Sequence, residues 1–183
     1  LLPCISKILE KIVCNRLNDY LLAEKIISEN QFGFRKKHST THAMTHLLNN
    51  VAKSLNAKKT TIVLFCDLRK AFDTCNHQIL FGKLKKYGIS GIELEWFKSY
   101  LSNRKQFVQN GVTHSSSKCI NIGVPQGSIL GPILFLLYIN DIQEFTGLLA
   151  ILFADDTALV ASSDNLVELA IYINAELQKI CHY

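Results

Sequence analysis

The sequence lacks the features that mark several common protein classes. Its six cysteines include no Cys-x-x-Cys pair, which argues against a zinc site or a disulfide scaffold and favours reduced thiols inside a cell. The longest apolar run, at residues 129–139, is shorter than the ~20 residues that cross a bilayer. No signal peptide, internal repeat or Pro/Ser/Gly-rich linker is recognisable. These absences predict an intracellular globular chain with no membrane partner.

The composition supports a folded core. The chain has 183 residues, of which 48% are hydrophobic and 19% are charged. Such a balance is typical of one globular domain or part of a larger one, and it excludes a disordered chain. The first residue is Leu1 rather than Met, so the sequence is expected to be an excerpt from a longer reading frame.

Charge is distributed unevenly along the chain. Residues 1–118 contain 19 Lys and Arg against 8 Asp and Glu, whereas residues 119–183 contain 1 against 7. A half this basic would attract a polyanion such as nucleic acid, although a solvated surface explains the same charges. The assignment of the pair Arg104-Lys105 stays open in the same way, because the two side chains lie either beside nucleic acid or in solvent.

Hydrophobic periodicity predicts several helices. They are expected at residues 4–22, 77–87, 92–101, 128–145 and 164–180, with Asn76 as a cap for the second of these. A further helix begins after Ser39 or Thr40, following a loop at residues 28–37. Its expected buried stripe is Met44, Leu47, Leu48, Val51 and Leu55.

Short strands are expected between the helices. Residues 60–67 are β-branched and apolar and predict a buried strand, and residues 105–109 and 117–123 predict a ribbon. Residues 148–154 and 157–162 predict a tight hairpin connected by Asp155-Asp156. Helices mixed with hairpin-linked strands indicate an α+β fold with a small antiparallel sheet.

Three carboxylates stand at unusual places in this pattern. Asp155 and Asp156 are adjacent between two apolar strands, where like charges repel unless a cation offsets them; a solvated turn remains the alternative. Asp67 ends the apolar strand at residues 60–67, where a carboxylate is costly unless solvated or paired. If the three meet, their oxygens suit Mg²⁺, and two such ions support phosphoryl transfer.

A glycine-containing loop precedes the most apolar predicted helix. Residues 123–128 read GVPQGS, and the two glycines would let the backbone approach a ligand at the start of a helix. Gln126 is placed to hydrogen-bond a sugar or base. An ordinary loop before a helix explains the same residues.

Together these segments resemble the reverse transcriptases of non-LTR (LINE-type) retrotransposons along nearly the whole chain. Four motifs in the expected order carry the resemblance: NQFGFR at residues 30–35 with STT at 39–41, FCD and AFD within 65–73, GVPQGS and GP within 123–132, and FADD at 153–156. Two adjacent positions depart from the usual pattern, because Lys37-His38 stands where Gly-Arg commonly precedes Ser-Thr.

The resemblance implies two-metal catalysis at the acidic positions. Asp67 and Asp155 would bind two Mg²⁺ ions, with Mn²⁺ as an alternative ion, and Asp156 would be a further ligand. The backbone carbonyl of Leu68 would also face a metal. A primer 3′-oxygen would then attack the α-phosphate of a deoxynucleoside triphosphate and release pyrophosphate.

The resemblance also implies contacts to nucleotide and template. Ala71 and Phe72 would line the incoming nucleotide through backbone N–H groups, and the Phe72 ring would exclude a 2′-hydroxyl. Gln126 would contact the nucleotide and Gly127 would give the template room. Arg35 would reach a phosphate of either. The implied partners are an RNA template, a DNA primer and deoxynucleotides.

A right-hand polymerase layout follows from the same resemblance. Residues 1–60 would be part of the fingers, 61–76 the palm with the first catalytic motif, 77–124 the connection, and 125–183 the palm with its helix and catalytic hairpin. The thumb is expected to be absent, as is the endonuclease, so both would come from the rest of a parent polyprotein. Action in a nucleus is implied by the family alone.

Other functions compete with a polymerase core that works only within a longer protein. A non-catalytic nucleic-acid-binding remnant would keep the basic segments, and an inert fragment of a decayed element would keep neither activity. Among enzymes, a group II intron maturase is the nearest alternative. An RNA-dependent RNA polymerase is disfavoured by Phe72. It is also disfavoured by Ala154, because that class commonly has glycine before the aspartate pair.

Overall fold

The computed structural model describes residues 4–181 and 183. It contains helices mixed with strands in small antiparallel sheets, which confirms the α+β class. In chain order the elements are α1 (Cys4–Ala23), α2 (Thr40–Asn56), β1 (Thr60–Cys66), α3 (His77–Lys86), α4 (Gly91–Leu101), β2 (Arg104–Gln106), β3 (Gln109–Asn110), β4 (Thr113–His114), β5 (Lys118–Ile120), α5 (Gly131–Ile139), α6 (Ile142–Phe145), β6 (Leu149–Phe153), β7 (Asp156–Ser163) and α7 (Leu166–Cys181).

The chain forms two compact units. One comprises residues 1–17 and 70–138 and is called the helical unit; the other comprises residues 18–69 and 139–183 and is called the sheet unit. Within the parts of the chain that the structure describes, no helix combines the length and apolar character needed to cross a membrane.

The sheet unit is built on three antiparallel strands in the order β1-β7-β6. Residues 157–160 of the central strand β7 are all buried, and because side chains alternate between faces, both faces of that strand are covered. Part of this core joins Leu47 of α2 to Ile151 of β6 and Val160 of β7. The predicted hairpin is therefore the centre of the unit.

Two expectations about burial in the sheet unit were wrong. Strand β1 is at the edge of the sheet and contains no fully buried residue, and its Phe65 is 76% exposed. An edge strand has a neighbour on one side only, so an apolar composition does not bury it. In α2 the predicted stripe is reduced to a buried Leu47 and a half-buried Val51, whereas three of its members are exposed: Met44, Leu48 and Leu55.

The helical unit is held by an apolar core between its helices. Leu80 and Leu84 of α3, Leu101 of α4 and Leu134 of α5 are each 0% exposed. The caps follow the sequence expectation: the Asn76 side chain accepts hydrogen bonds from the backbone at Gln78 and Ile79. The predicted ribbon exists as two short antiparallel pairs, β2 with β5 and β3 with β4.

The single helix predicted at residues 128–145 is two helices. α5 begins at Gly131, whose N–H is capped by the Ser128 hydroxyl at 2.8 Å. The helix then stops at Asn140, because the Asn140 side chain bonds to backbone groups of Ser28 and Ile26, each at 2.8 Å. Asn side chains that bind backbone compete with helix continuation, and this long-range partner was not visible in the sequence.

Candidate functional site

The end of the sheet brings the three predicted metal-binding aspartates to neighbouring backbone positions. The register of β1 and β7 pairs Cys66 with Thr157, so the next position places Asp67 opposite Asp156. Neighbouring strands in a sheet lie about 4.8 Å apart. Asp155 occupies the adjoining turn between β6 and β7. Asp67 and Asp156, which are 89 positions apart in sequence, thus occupy opposite positions at one sheet end.

The hairpin turn lies one residue earlier than predicted. Phe153 pairs with Asp156, so the connecting residues are Ala154 and Asp155, and Asp156 already belongs to β7. Ala154 has φ +59°, a left-handed conformation that two-residue hairpin turns normally give to Gly, Asn or Asp. The sequence suggested the acidic pair as the turn because Asp favours turns; the pairing register decides otherwise.

The aspartates have the chemistry of a cation site without forming a closed cage. Asp67 and Asp156 are exposed and Asp155 is half-buried. None of their carboxylates takes part in a hydrogen bond or ion pair with another residue that the structure describes. In residues 4–181 and 183, however, no group of three or more His, Cys, Asp or Glu side chains is arranged to hold a metal ion. Mg²⁺ commonly uses only one or two carboxylates, together with water and substrate phosphates, so this donor set fits that ion.

Arg35 is engaged with its own loop. Its Nη1 donates to the carbonyls of Ser28 and Gln31, each at 2.8 Å. The side chain is half-buried, and this burial lowers the pKa of the guanidinium despite the opposing effect of Glu29. The structure therefore gives Arg35 a role in holding the loop, while its contact with a phosphate stays a prediction.

Ala71 and Phe72 lie in a turn a few residues after β1. Ala71 is buried, and its carbonyl accepts from the Cys75 thiol at 3.3 Å. The half-buried Phe72 ring packs against Phe135 of α5, with 4.7 Å between ring centroids. The ring is thereby held in place within the helical unit, and its proposed contact with a nucleotide sugar stays a prediction.

The glycine-containing loop is joined to that turn by backbone contacts. The N–H groups of Gly123 and Val124 donate to the carbonyls of Cys75 and Phe72, each at 2.7 Å. A Cβ at Gly123 would lie 2.7 Å from the carbonyl oxygen of Asp73, so only glycine permits this approach. Two predicted nucleotide-contacting segments are thus joined in one hydrogen-bonded assembly within the helical unit.

The polar end of this assembly is accessible. Gln126 is exposed, and its Nε2 donates to the Asp73 carboxylate at 2.9 Å. Gly127 is exposed with φ +76° and open space where a Cβ would stand. Gly127 therefore leaves room beside the loop, as a template contact would require.

A cleft of about 1190 Å³ begins at this loop and continues along the β2–β5 ribbon. It lies entirely within the helical unit, and its lining includes three cations together with the Asp73–Gln126 pair: Lys70, Arg104 and Lys105. Arg104 is held in place, because its guanidinium lies 5.6 Å from the centroid of the Tyr100 ring and donates to the Tyr100 carbonyl. The structure thus places the pair that the sequence could not assign in the lining of the same cleft as Gln126.

Sequence reasoning missed Glu10 in α1. This carboxylate is 2% exposed, and its Oε2 accepts from the N–H of Ile129 at 2.7 Å and of Leu130 at 3.4 Å. It therefore caps the backbone just before α5, where anions are favoured. An acidic residue inside the apolar periodicity of α1 was the available signal.

Comparisons with known proteins find similarity along nearly the whole chain. The family model described as Reverse transcriptase (RNA-dependent DNA polymerase) matches residues 1–180. A probable RNA-directed DNA polymerase from transposon BS of Drosophila melanogaster is 34% identical over 90% of this chain and 19% of that protein. The RNA-directed DNA polymerase from mobile element jockey of the same species is 33% identical over 91% of this chain and 19% of that protein.

A more distant relative matches the whole chain. The Retrovirus-related Pol polyprotein from type-1 retrotransposable element R1 of Bradysia coprophila is 29% identical over 100% of this chain and 18% of that protein. The chain therefore spans about a fifth of the length of these curated relatives.

Proposed function

Because the chain belongs to the reverse transcriptase (RNA-dependent DNA polymerase) family, we propose that it is the core segment of an RNA-directed DNA polymerase of a non-LTR retrotransposon. The reaction is attack of a primer 3′-oxygen on the α-phosphate of a deoxynucleoside triphosphate, with release of pyrophosphate. The observation that carries this proposal is the sheet register, which places Asp67 opposite Asp156 and beside the Asp155 turn.

The aspartates are the proposed metal ligands. Asp67 and Asp155 bind two Mg²⁺ ions, with Mn²⁺ as an alternative, and Asp156 and the Leu68 carbonyl are further ligands. The bound ions supply activation of the attacking oxygen and charge neutralisation at the phosphates. The open carboxylates support this assignment, because substrate phosphates and water complete a Mg²⁺ shell that protein ligands leave incomplete.

The helical unit is proposed to position the substrates. Ala71 and Phe72 contact the nucleotide, and the Phe72 ring selects against a 2′-hydroxyl. Gln126 adds a polar contact, and Gly127 makes room for the RNA template. The packing of Phe72 on Phe135 and the backbone ties at residues 123–124 support these roles, since positioning of reactants is the main contribution a protein makes to phosphoryl transfer.

The cationic cleft is proposed to bind phosphates of the template strand. Lys70, Arg104 and Lys105 line it together with Gln126, and Lys and Arg supply most of the affinity for nucleic acid backbones. Arg35 is proposed as a further phosphate contact through nitrogen atoms other than the Nη1 that holds its loop.

The proposed architecture is that of polymerase fingers and palm. Residues 1–60 form part of the fingers, 61–76 and 125–183 form the palm, and 77–124 connect them. A thumb, an endonuclease, the DNA primer and the RNA template are the proposed partners. The short share of each relative that the chain spans supports the view that further polymerase parts come from a parent polyprotein.

Primer extension tests the proposed function. This chain replaces the matched segment of the jockey polymerase, and extension is measured on an RNA template with Mg²⁺ and deoxynucleotides. Asp155→Asn and Asp67→Asn are expected to lower the rate by at least about 10²-fold. Each variant removes a ligand of a metal ion, and that ion stabilises the charge that develops in the transition state by several kcal/mol. Asp164→Asn, an exposed acid just beyond β7, is the control and should keep the parent rate.

The outcomes discriminate between the candidate functions. Equal extension by the parent and both aspartate variants would contradict the two-metal assignment. A folded parent chimaera that binds RNA but extends no primer would favour a non-catalytic RNA-binding remnant.

A further inference from the structure

We propose that Gln31 is a positioning residue that sets the conformation of the Ala154-Asp155 turn and so determines where the Asp155 carboxylate projects. The inference rests on the proposed metal-binding function of Asp155. It assigns to the NQFGFR motif a role within the sheet unit that the motif pattern did not indicate.

The Gln31 side chain bonds to both backbone groups of one turn residue. Its Oε1 accepts from the Ala154 N–H at 3.0 Å, and its Nε2 donates to the Ala154 carbonyl at 3.4 Å. The same Oε1 accepts from the Gly33 N–H at 2.7 Å. Gln31 is 1% exposed, so these bonds are made away from water, where an unpaired amide would be costly.

The turn needs such support because Ala154 is in a left-handed conformation. A residue with a Cβ adopts positive φ at a free-energy cost, and strained conformations persist where the surroundings over-determine them. Gln31 supplies that constraint by matching the hydrogen-bonding groups of Ala154 in this one geometry. Glycine would remove the strain at this position, and the native alanine therefore increases the dependence on Gln31.

Backbone contacts fix Gln31 itself against the same hairpin. The Phe32 N–H donates to the Leu152 carbonyl at 2.7 Å, and the Leu152 N–H donates to the Asn30 carbonyl at 2.8 Å. A Cβ at Gly33 would lie 2.1 Å from the Ala154 nitrogen. Arg35 also donates to the Gln31 carbonyl. These contacts hold the loop against β6 and direct the side-chain amide of Gln31 at the Ala154-Asp155 turn.

Only glutamine satisfies all these contacts. Glutamate has the same shape but lacks the Nε2 donor and adds a negative charge next to Asp155 and Asp156. Methionine has similar length but neither donor nor acceptor. Mutation of a residue that holds a metal ligand in position without contacting the metal commonly lowers metal affinity by about 10–100-fold.

Mn²⁺ binding to this chain, followed by electron paramagnetic resonance, tests the inference without relying on catalysis. Gln31→Met is expected to weaken Mn²⁺ binding by about tenfold or more. The matched control is Gln143→Met in α6, whose side chain contacts the other end of β6. Gln143 likewise bonds through both amide atoms to backbone, namely to Thr146, Leu148 and Ala150, so its loss should reduce stability without changing Mn²⁺ affinity.

Hydrogen exchange of the Ala154 amide gives a second readout. That amide should be protected in the parent and in Gln143→Met, and it should exchange faster in Gln31→Met. Adding Ala154→Gly to Gln31→Met should restore part of the Mn²⁺ affinity, because glycine adopts the turn without strain. If Gln31→Met does not fold, Gln31→Leu, which likewise has neither donor nor acceptor for Ala154, is the second variant and is expected to show the same two changes.

Two results would overturn the inference. One is a folded Gln31 variant that binds Mn²⁺ as tightly as the parent; the other is an equal loss of affinity in Gln143→Met, which would indicate general destabilisation. Failure of the proposed function would give a different result. If Asp155→Asn left Mn²⁺ binding unchanged from that of the parent chain, the metal site itself would be refuted, and with it the role of Gln31.

Discussion

The sheet unit and the helical unit differ most in charge and in how they hold their functional residues. The sheet unit has 9 Lys and Arg against 11 Asp and Glu, a net charge of −2, whereas the helical unit has 11 against 4, a net charge of +7. The proposed metal ligands belong to the first unit and the cationic cleft to the second.

This division separates two electrostatic tasks. Carboxylates grouped at a sheet end attract divalent cations, and a strongly cationic unit attracts the phosphates of a nucleic acid. The sheet unit still contains 9 Lys and Arg side chains. In the residues that the structure describes, the three aspartates are in fact not engaged by any cationic side chain.

The units also restrain their functional segments differently. In the sheet unit, a side-chain amide and a close backbone approach hold the Ala154-Asp155 turn. In the helical unit, backbone hydrogen bonds join residues 123–124 to the turn at 72–75. The most sensitive glycines should therefore be those at close backbone contacts, whichever unit contains them.

Glycine substitutions give the largest expected effects. Gly33→Ala in the sheet unit should destabilise the chain by about 1–3 kcal/mol through overpacking, because its Cβ would lie 2.1 Å from the Ala154 nitrogen. Gly82→Ala in α3 of the helical unit has open space and should stabilise by about 0.5–1 kcal/mol through helix propensity. Urea unfolding measures both. Equal midpoints for the two variants would contradict the close approach.

Nucleic acid affinity gives the next effect. Arg104→Gln with Lys105→Gln should weaken binding of a single-stranded RNA oligonucleotide and reduce the slope of log K against log salt by about 1.4, since each lost phosphate contact removes about 0.7. The matched control is Lys58→Gln with Lys59→Gln, two exposed cations of the sheet unit. Fluorescence anisotropy at several salt concentrations measures the slopes, and identical slopes for the two pairs would remove the distinction between the units.

Thiol reactivity gives the smallest effect. Burial raises the pKa of Cys75 in the helical unit to about 12, so its thiol stays protonated as pH rises through 8 and 9. Burial also raises the pKa of Cys66 in the sheet unit, with a further contribution from Cys181. Alkylation by iodoacetamide at pH 8.5, read by mass spectrometry, should therefore modify the exposed Cys119 first, Cys66 more slowly and Cys75 least, because the thiolate is the reactive form. Modification of Cys75 as fast as Cys119 would show that the helical core opens readily.

Several features followed from sequence because they depend on local chemistry. The helix caps at Ser39 and Asn76 and the spans of α1, α4 and α7 match expectation within a few residues. Hydrophobic period and capping residues act within a few positions of the chain. The family was also predicted from its motifs, and the family model confirms it.

Other features depended on partners far along the chain. The register between β1 and β7 decides that Asp67 lies opposite Asp156 and that the turn is Ala154-Asp155. The break after α5 depends on the contact of Asn140 with residues 26 and 28.

The sequence by itself determined the kinds of groups present: three acids at the ends of apolar segments, a glycine-containing loop before an apolar helix, and an excess of cations in the first 118 residues. Only the tertiary structure decided which of these lie together and what holds them, as it did for the hydrogen bonds of Gln31 to the turn and for the cleft that Arg104 and Gln126 both line. The physical reason is that hydrogen bonds and charges act over a few ångströms, and chain folding sets those distances independently of separation in sequence.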